Sequence, residues 1–327
     1  MRSPRSRSYD YVMPAGRFAP TPSGPLHVGG LRTALIAWLF ARATSSRFSI
    51  RIEDLDPKTS QPQHARRQLD DLAALGLDWE EPVLYQSVSR RSHDAALAKL
   101  RALGLIYPCY CSRREIRDAS TAPHVASGRY PGTCRDLSRA KAAQREASGR
   151  APALRLATSG EELTIVDRLR GIVRQPITDI VLRRNDGVPA YNLAVVVDDD
   201  DQGVEEVVRA DDLLEVTPVQ AHLLDLLGRP RPTWAHVPLV LGPDGARLAK
   251  RHGSVTLGDL AAQGVTPAQV RGRIATSLGL AELDEPVSMA RLLQRFDPDQ
   301  LPTEPWVLTE PWVSTTEAGE TTKRTDG

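Results

Sequence analysis

A segment rich in proline and glycine, residues 20–30, constrains the fold of this chain more than any other stretch. Its three prolines fix their own φ angles and bias the preceding residues away from helix, so the chain enters the segment extended. Directly afterwards, apolar residues recur at helical spacing over residues 31–43, which predicts one buried face of an α-helix. The segment therefore predicts a strand, a tight turn and a helix.

His27 lies just before this predicted helix and is followed by Gly29 and Gly30. Free backbone N–H groups and the helix dipole favour phosphate at such a position, and glycine lets a nucleotide approach the backbone closely. A histidine there can donate a hydrogen bond to phosphate oxygens as charge builds in a transition state. We predict that these three residues bind ATP and that His27 is catalytic. The alternative is an ordinary strand–turn–helix with an incidental histidine.

A second candidate for nucleotide contact is the run Arg-Leu-Ala-Lys-Arg at residues 247–251. The preceding Gly-Pro-Asp-Gly, residues 242–245, predicts a turn that presents this run on a mobile loop. Three cations in five residues can neutralise a triphosphate and then pyrophosphate, and a lysine such as Lys250 is a compact, flexible charge that suits this task. The alternative is a solvated basic loop, the usual meaning of a charge run.

Strand-like and helix-like segments alternate along the chain, which predicts an α/β fold with a parallel sheet. Helices are predicted over 63–75 and 90–103, each ending at a glycine, and over 213–227 and 265–280. The apolar run 190–197 is predicted to be a buried central strand. We expect a flexible extension (1–14), two catalytic half-domains (15–106 and 191–235), an inserted module (107–190), a signature-loop and stem-contact region (236–302) and a disordered tail (303–327).

Composition limits the class of protein. The net charge of +1 means that any contact with RNA must come from a local basic face. No apolar run is long enough to span a bilayer, and no hydrophobic segment follows the basic N-terminus, so we expect neither a membrane protein nor a secreted one. An odd number of cysteines argues against a disulfide framework and fits a reducing cytoplasm.

The three cysteines, Cys109, Cys111 and Cys134, could hold a metal ion. A structural zinc site needs four ligands, so a fourth residue must join them, and Tyr130 and His124 are both candidates. From the residues alone His124 is the conventional choice, because imidazole binds zinc far more often than phenol does. The alternative is three buried free thiols.

Charged residues also recur at predicted strand ends. Arg17 and Glu53 end the first two strands, and Arg209 follows a third. Parallel sheets bind ligands at the carboxyl ends of their strands, so these side chains could converge, and Tyr191 could add a hydroxyl. A site for glutamate must match the charges of two carboxylates and one ammonium, for which two arginines and one carboxylate are the minimum. The alternative for each is a surface charge.

Taken together, these segments resemble the glutamyl-tRNA synthetase group of class I aminoacyl-tRNA synthetases, and most of all its truncated branch that acts on queuosine in tRNA(Asp). The similarity runs from about residue 16 to 280. It rests on residues 17–24 (Arg-Phe-Ala-Pro-Thr-Pro-Ser-Gly), 51–56 (Arg-Ile-Glu-Asp-Leu-Asp), 109–111 (Cys-Tyr-Cys), 130–134 (Tyr-Pro-Gly-Thr-Cys), 190–199 (Ala-Tyr-Asn-Leu-Ala-Val-Val-Val-Asp-Asp) and 207–209 (Val-Val-Arg). The residues around His27 and Lys250 are similar to the two nucleotide-binding signatures of the class.

The resemblance implies a class I Rossmann-like parallel sheet with an inserted zinc-bearing module and a small C-terminal helical stem-contact region. It assigns contact with ATP to Lys250, which is expected to be catalytic together with His27, and Mg²⁺ is expected to accompany the ATP. It names Tyr130 rather than His124 as the fourth zinc ligand. The implied glutamate site is Arg17, Phe18, Ala19, Pro20, Thr21, Glu53, Tyr191 and Arg209, and the implied zinc site is Cys109, Cys111, Tyr130 and Cys134.

The implied enzyme is a ligase that forms glutamyl-adenylate from L-glutamate and ATP. It then transfers the glutamate to queuosine in the anticodon arm of tRNA(Asp), without an anticodon-binding domain, because only about fifty residues follow residue 280. We expect it to act as a monomer away from membranes. Gly30, Arg247, Ala249 and Ala210 depart from the family pattern. Two rivals are a truncated ligase that charges another acceptor and a non-catalytic RNA-binding paralogue.

Overall fold

The computed structural model describes residues 15–112, 114–116, 130–248, 255–309 and 312. Its main sheet has seven strands: β1 (Ala15–Phe18), β2 (Arg47–Ile52), β3 (Leu84–Tyr85), β6 (Glu162–Asp167), β7 (Gly171–Pro176), β9 (Val204–Ala210) and β10 (Thr233–Val237). The strand order is β3-β2-β1-β9-β10-β6-β7. Every pairing is parallel except β6 with β7. The predicted parallel α/β sheet is confirmed.

Helices surround this sheet. They are α1 (Val28–Ala43), α2 (Pro62–Leu75), α3 (Arg90–Ala102), α4 (Arg139–Ala147), α5 (Tyr191–Asp201), α6 (Thr217–Leu227), α7 (Leu257–Ala261), α8 (Pro267–Thr276) and α9 (Met289–Arg295), with short 3₁₀ helices at Gln86–Ser89, Asp211–Val216 and Pro298–Gln300. None of the described helices is both long and apolar enough to cross a membrane.

The predicted helix after the proline-rich segment is confirmed as α1, which packs against β1 and β9 and is buried along most of its length. It begins at Val28, earlier than the apolar pattern alone indicates, because His27 caps it. The predicted ends of α2 and α3 are also confirmed: Gly76 and Gly104 follow with positive φ, the left-handed geometry that ends many helices.

The prediction that residues 190–197 form a central strand is wrong, because this stretch begins α5. Its consecutive valines favour a strand by propensity, but the helix is buried from Leu193 to Asp199 and tertiary packing decides. A helix turns successive residues to different sides. In this helix Asp198 contacts His93 and Asp199 contacts Arg17.

The segment predicted as an inserted module contributes to two sheets. A separate antiparallel sheet, of order β4-β5-β8, is formed by β4 (Ile106–Cys109), β5 (Ala153–Leu156) and β8 (Val181–Arg183). Between β5 and β8 the chain leaves this sheet, and the hairpin β6–β7 extends the main sheet instead. The cysteines lie beside the smaller sheet, in a cluster with Tyr107 and Tyr110.

The predicted disordered tail begins too early at residue 303. The strand β12 (Trp306–Val307) pairs in parallel with β11 (Val240–Leu241), and Leu308 is buried in the core. These apolar residues have a surface to bury, so residues 303–309 belong to the fold, and most of the rest of the predicted tail lies outside the described residues. Consequently β12 supports the strand that leads into the second nucleotide signature.

Candidate active site

A cavity of about 440 Å³ opens at the carboxyl ends of β1, β2 and β9, beside the N-terminus of α1. This is the edge at which a parallel sheet binds its ligands. The predicted residues that line it are Arg17, Phe18, Ala19, Thr21, His27, Gly29, Gly30, Glu53, Tyr191 and Arg209. Pro20 is not one of the lining residues, but its carbonyl accepts the N–H of Glu53 at 2.9 Å. The structure thus brings together residues that are almost two hundred positions apart.

Arg17 is buried and anchored in this wall. Its Nε and Nη2 donate to the two carboxylate oxygens of Asp199 at 3.1 and 3.2 Å, and its Nη1 donates to the Val208 carbonyl at 3.2 Å. A two-pronged contact of this kind fixes both the position and the plane of a guanidinium. Asp199 therefore holds Arg17 in place.

Arg51, which is fully buried in β2, joins the same network. Its Nη1 lies 2.6 Å from Asp199 and its Nη2 lies 3.2 Å from Glu53. Burial alone would raise the pKa of Asp199, but Arg17 and Arg51 outweigh it and lower that pKa to about 2. Burial raises the pKa of Glu53, and Arg51 and Arg17 only partly oppose it. An ammonium group bound beside Glu53 would favour its ionised form.

Arg209, at the end of β9, has a different environment. Its Nε donates to His236 Nε2 at 3.0 Å, and its Nη2 donates to Thr217 Oγ1 at 2.8 Å and to Gln220 Oε1 at 2.7 Å. Its Nη1 donates to Tyr191 Oη at 3.3 Å. Every one of these acceptors is neutral.

The charged side chains that line the cavity are Arg17, Arg209 and Arg247 against Glu53 and Asp212. With the buried partners Arg51 and Asp199 included, four positive and three negative groups leave the site with one net positive charge. Glutamate has two carboxylates and one ammonium and therefore carries one net negative charge. The electrostatics of the wall match an acidic amino acid better than a neutral one.

His27 lies at the other end of the cavity, where the sequence predicts a nucleotide. Its Nδ1 accepts the Gly30 N–H at 3.3 Å, so the proton of the neutral ring lies on Nε2, which can donate to a ligand. Burial, and secondarily the charge of Arg247, lowers the pKa of His27, so the ring is neutral at pH 7. A side chain at position 29 would stand 3.0 Å from this ring, which explains Gly29.

The second signature approaches the same end. Arg247 Nη1 lies 2.5 Å from Asp212, and the Leu248 N–H donates to the Val240 carbonyl at 3.1 Å. On the far side of the loop, the Val28 N–H donates to the Val255 carbonyl at 2.8 Å. Lys250 and Ala249 themselves lie outside the described residues.

The three cysteines come together, because their Sγ atoms all lie within 4.8 Å of one another. Tyr130 joins them, with its hydroxyl 3.2 Å from the Cys109 Sγ and 3.6 Å from the Cys111 Sγ. Three thiols and a phenol offer the four ligands of a structural zinc site. His124, the choice from residue types alone, lies outside the described residues.

Several residues of the site escape sequence reasoning: Arg51, Asp167, Asp199, Asp212, Thr217, Gln220 and His236. A faint signal exists for two of them, since a charged or polar residue inside an apolar strand, such as Arg51 or His236, is expected to have a buried partner. The contacts of Asp199, Thr217 and Gln220 depend on how helices α5 and α6 pack on the sheet. Those of Asp167 and Asp212 depend on which strand or loop lies beside them, and no local pattern reveals either.

Residues 15–310 match the family model of the tRNA synthetases class I (E and Q), catalytic domain. A Glutamyl-Q tRNA(Asp) synthetase of Nocardia farcinica is 58% identical over 295 residues, covering 90% of this chain and 93% of that protein. One of Symbiobacterium thermophilum is 47% identical over 307 residues, covering 90% of this chain and 95% of that protein.

The fold is also similar to that of a solved structure. A glutamate tRNA ligase from Elizabethkingia meningosepticum, crystallised in complex with its amino acid, superposes with a TM-score of 0.78 at 25% sequence identity. The alignment covers 90% of this chain and 67% of that one.

Proposed function

We propose, from the premise that this chain belongs to the class I tRNA synthetases for glutamate and glutamine, that it is a ligase which activates L-glutamate with ATP and transfers it to queuosine in tRNA(Asp). One observation carries the first half of the proposal. Arg17, Glu53 and Arg209 converge in one cavity with His27 and the start of α1, so a glutamate site and a phosphate site are adjacent.

In the first step, a glutamate α-carboxylate oxygen attacks the α-phosphorus of ATP, bound as its Mg²⁺ complex. The bond from that phosphorus to the bridging oxygen breaks, pyrophosphate leaves, and glutamyl-adenylate forms. Arg17 and Arg209 hold the carboxylates of glutamate, and Glu53 holds its ammonium group. The backbone from Phe18 to Thr21 lines the glutamate site. No side-chain nucleophile is required, because positioning and electrostatic stabilisation supply the rate.

The nucleotide end stabilises charge on the phosphates. His27 donates from Nε2, and Gly29 and Gly30 leave the helix N-terminus open to the triphosphate. We assign Lys250 to the same task on the basis of its place in the signature loop. In the second step a hydroxyl of queuosine attacks the activated carbonyl, AMP leaves with the bonding electrons, and the hydroxyl proton passes to solvent.

Support for the acceptor comes from the two relatives named Glutamyl-Q tRNA(Asp) synthetase, which this chain matches over more than nine-tenths of their length. Beside Cys109 and Cys111, Arg150 and Arg184 line a second cavity of about 760 Å³. Both arginines are already paired with partly exposed carboxylates, so RNA phosphates would bind here by replacing those pairs. Arg155, in the same wall, is buried.

We propose that Cys109, Cys111, Tyr130 and Cys134 bind a structural zinc ion that would cross-link the strand β4 to the loop after it. The guanidinium of Arg155 lies 3.8 Å from the centre of the Tyr130 ring and restricts how that ring can turn. We also propose that the protein acts as a monomer in the cytoplasm, where a reducing environment keeps the three cysteines available as metal ligands.

The test is transfer of labelled glutamate, with ATP, to two matched tRNA pools, one containing queuosine and one from cells unable to insert it. Label on the first pool only supports the proposal. Equal label on both would identify the 3′ adenosine as acceptor. Label on neither, with glutamate-dependent pyrophosphate exchange intact, would move the acceptor elsewhere. Loss of exchange as well would favour a non-catalytic paralogue.

A further inference from the structure

The two arginines at the amino-acid end of the cavity differ in one respect that bears on selectivity. Arg17 is paired with the carboxylate of Asp199, whereas the four hydrogen bonds of Arg209 all go to neutral acceptors. Within the described part of the chain, no carboxylate is ion-paired with Arg209. A guanidinium has five N–H groups, so one, on Nη1 beside Tyr191, is not used by these bonds. A buried cation without a counter-ion is costly, and a bound carboxylate would relieve that cost.

The geometry also defines the protonation of His236, which is fully buried. Its Nε2 accepts the Nε–H of Arg209 at 3.0 Å, and an arginine can only donate, so Nε2 carries no proton. The proton of the ring therefore lies on Nδ1, which donates to Asp167 Oδ2 at 2.5 Å. His236 is a neutral imidazole held in a single tautomer.

Asp167, at the end of β6, is oriented just as firmly. Its Oδ1 accepts backbone N–H groups from Leu169 at 3.0 Å, Arg170 at 2.9 Å and His236 at 3.2 Å. Three donors on one oxygen leave the other oxygen facing the imidazole. The chain Asp167–His236–Arg209 thus runs from the backbone of the sheet to the wall of the cavity.

We propose that Asp167 and His236 are positioning residues that aim Arg209 at the cavity through a neutral acceptor and so reserve its charge for a carboxylate of the amino-acid substrate. The role rests on the proposed function and deepens it, because it explains how the site selects an acidic amino acid. A carboxylate in place of the imidazole would hold Arg209 equally well but would neutralise it.

Two substitutions of His236 separate this role from simple packing. In His236→Gln the amide oxygen can reach the place of Nε2 and still accept from Arg209. In His236→Asn the amide nitrogen reaches the place of Nδ1, keeps the bond to Asp167 and leaves Arg209 without its acceptor. We expect H236Q to bind glutamate within about threefold of the unmodified protein and H236N to bind it at least about tenfold more weakly, on the scale of one charged hydrogen bond.

Asp167→Asn tests the tautomer. The three backbone donors attract the amide oxygen, so the amide NH₂ faces Nδ1 and forces the ring proton onto Nε2, where it opposes the Arg209 N–H. We expect glutamate binding to weaken at least about tenfold. Asp225→Asn is the matched control, because Asp225 lies on α6 and forms an exposed ion pair with Arg231.

Gln220→Glu tests the reserved charge itself. Gln220 Oε1 already accepts from Arg209 at 2.7 Å, so the change places a carboxylate on the guanidinium with almost no change of shape. We expect the preference for glutamate over glutamine to fall by at least about tenfold, since an ion pair now competes with the substrate.

The experiment is calorimetric titration of L-glutamate, L-glutamine and ATP into each full-length variant, with thermal melting to confirm folding. The expected result is weaker glutamate binding in D167N and H236N, unchanged ATP binding, and near-normal binding in H236Q and D225N. Equal glutamate affinity in D167N and the unmodified protein, or equal losses in H236N and H236Q, would overturn the positioning role alone. No glutamate binding by the unmodified protein would overturn the proposed function and this role with it.

Discussion

The two ends of the cavity handle charge in opposite ways. At the amino-acid end the cationic side chains are buried, with Arg17 at 3%, Arg51 at 0% and Arg209 at 6% exposure. At the nucleotide end, the side chain of Arg247 is 60% exposed and that of its partner Asp212 is 30% exposed. The first end is part of the sheet, and the second is carried by a loop.

This difference suits the two ligands. Buried ion pairs are expensive to form but hold a fixed geometry, which is what discrimination between similar amino acids requires. Exposed pairs contribute little energy and can rearrange, which allows pyrophosphate to leave after each activation step. We therefore propose that selectivity resides in the sheet and turnover in the loop.

The largest effect is expected where the buried network is cut. Asp199→Asn leaves Arg17 and Arg51 without their shared carboxylate, and removing one partner of a buried ion pair costs about 3–5 kcal/mol of unfolding free energy. Chemical denaturation at pH 7 measures this loss. Asp225→Asn, at an exposed pair, should cost less than about 1 kcal/mol. Equal losses in the two variants would mean that the buried network at the amino-acid end contributes no more to stability than an ordinary exposed pair.

The same carboxylate predicts a pH window. The pKa of Asp199 falls from an ordinary 3.8 to about 2 in the folded protein, because Arg17 and Arg51 overcome the effect of burial. A lowered pKa stabilises the fold fully above about pH 4, and this stabilisation is lost as the pH falls towards 2. The difference in unfolding free energy between the unmodified protein and D199N should shrink across that window. A difference that stays constant from pH 5 to pH 2 would contradict the assignment.

The sequence predicts the backbone of the site better than its electrostatic network. The helix start at His27 follows from local rules on proline and helix capping, and the sheet edge follows from strand alternation. Those rules were enough to predict that Arg17, Glu53 and Arg209 lie in one cavity. They act over a few residues or over whole elements, and both scales can be read from a sequence.

What the sequence does not reveal is which buried charges face one another. The valines at 195–197 favour a strand, and that reading hides the helical turn that directs Asp199 to Arg17. Likewise His236 contacts Asp167 and Arg209 only because β10 lies between β6 and β9 in the sheet. Such contacts are set by tertiary packing, which overrides local propensity.

The loop end should show its largest effect at Lys250, which was assigned by sequence and lies outside the described residues. Lys250→Ala removes a charge that stabilises the phosphates in the transition state, and the loss of one such donor typically costs about 10²–10³ in rate. Glutamate-dependent pyrophosphate exchange should fall accordingly, with calorimetric glutamate affinity unchanged. Lys141→Ala, in an exposed turn of α4, is the control. Near-normal exchange in K250A would end the assigned role.

The smallest effect is expected at Arg247. Removing an exposed, partly screened cation by Arg247→Ala should raise the KM for ATP about three- to fivefold, consistent with at most about 1 kcal/mol for an exposed pair, and leave glutamate affinity unchanged. Part of that rise comes from Asp212, whose unpaired carboxylate then faces the triphosphate, so the double variant R247A/D212N should recover part of the loss.

High salt should reduce the difference in KM between R247A and the unmodified protein, because exposed charges are screened within about 10 Å at 0.1 M. Arg231→Ala, at another exposed pair, serves as control. A rise beyond about fiftyfold, or one insensitive to salt, would mean that the loop end uses fixed, desolvated charges as the sheet end does.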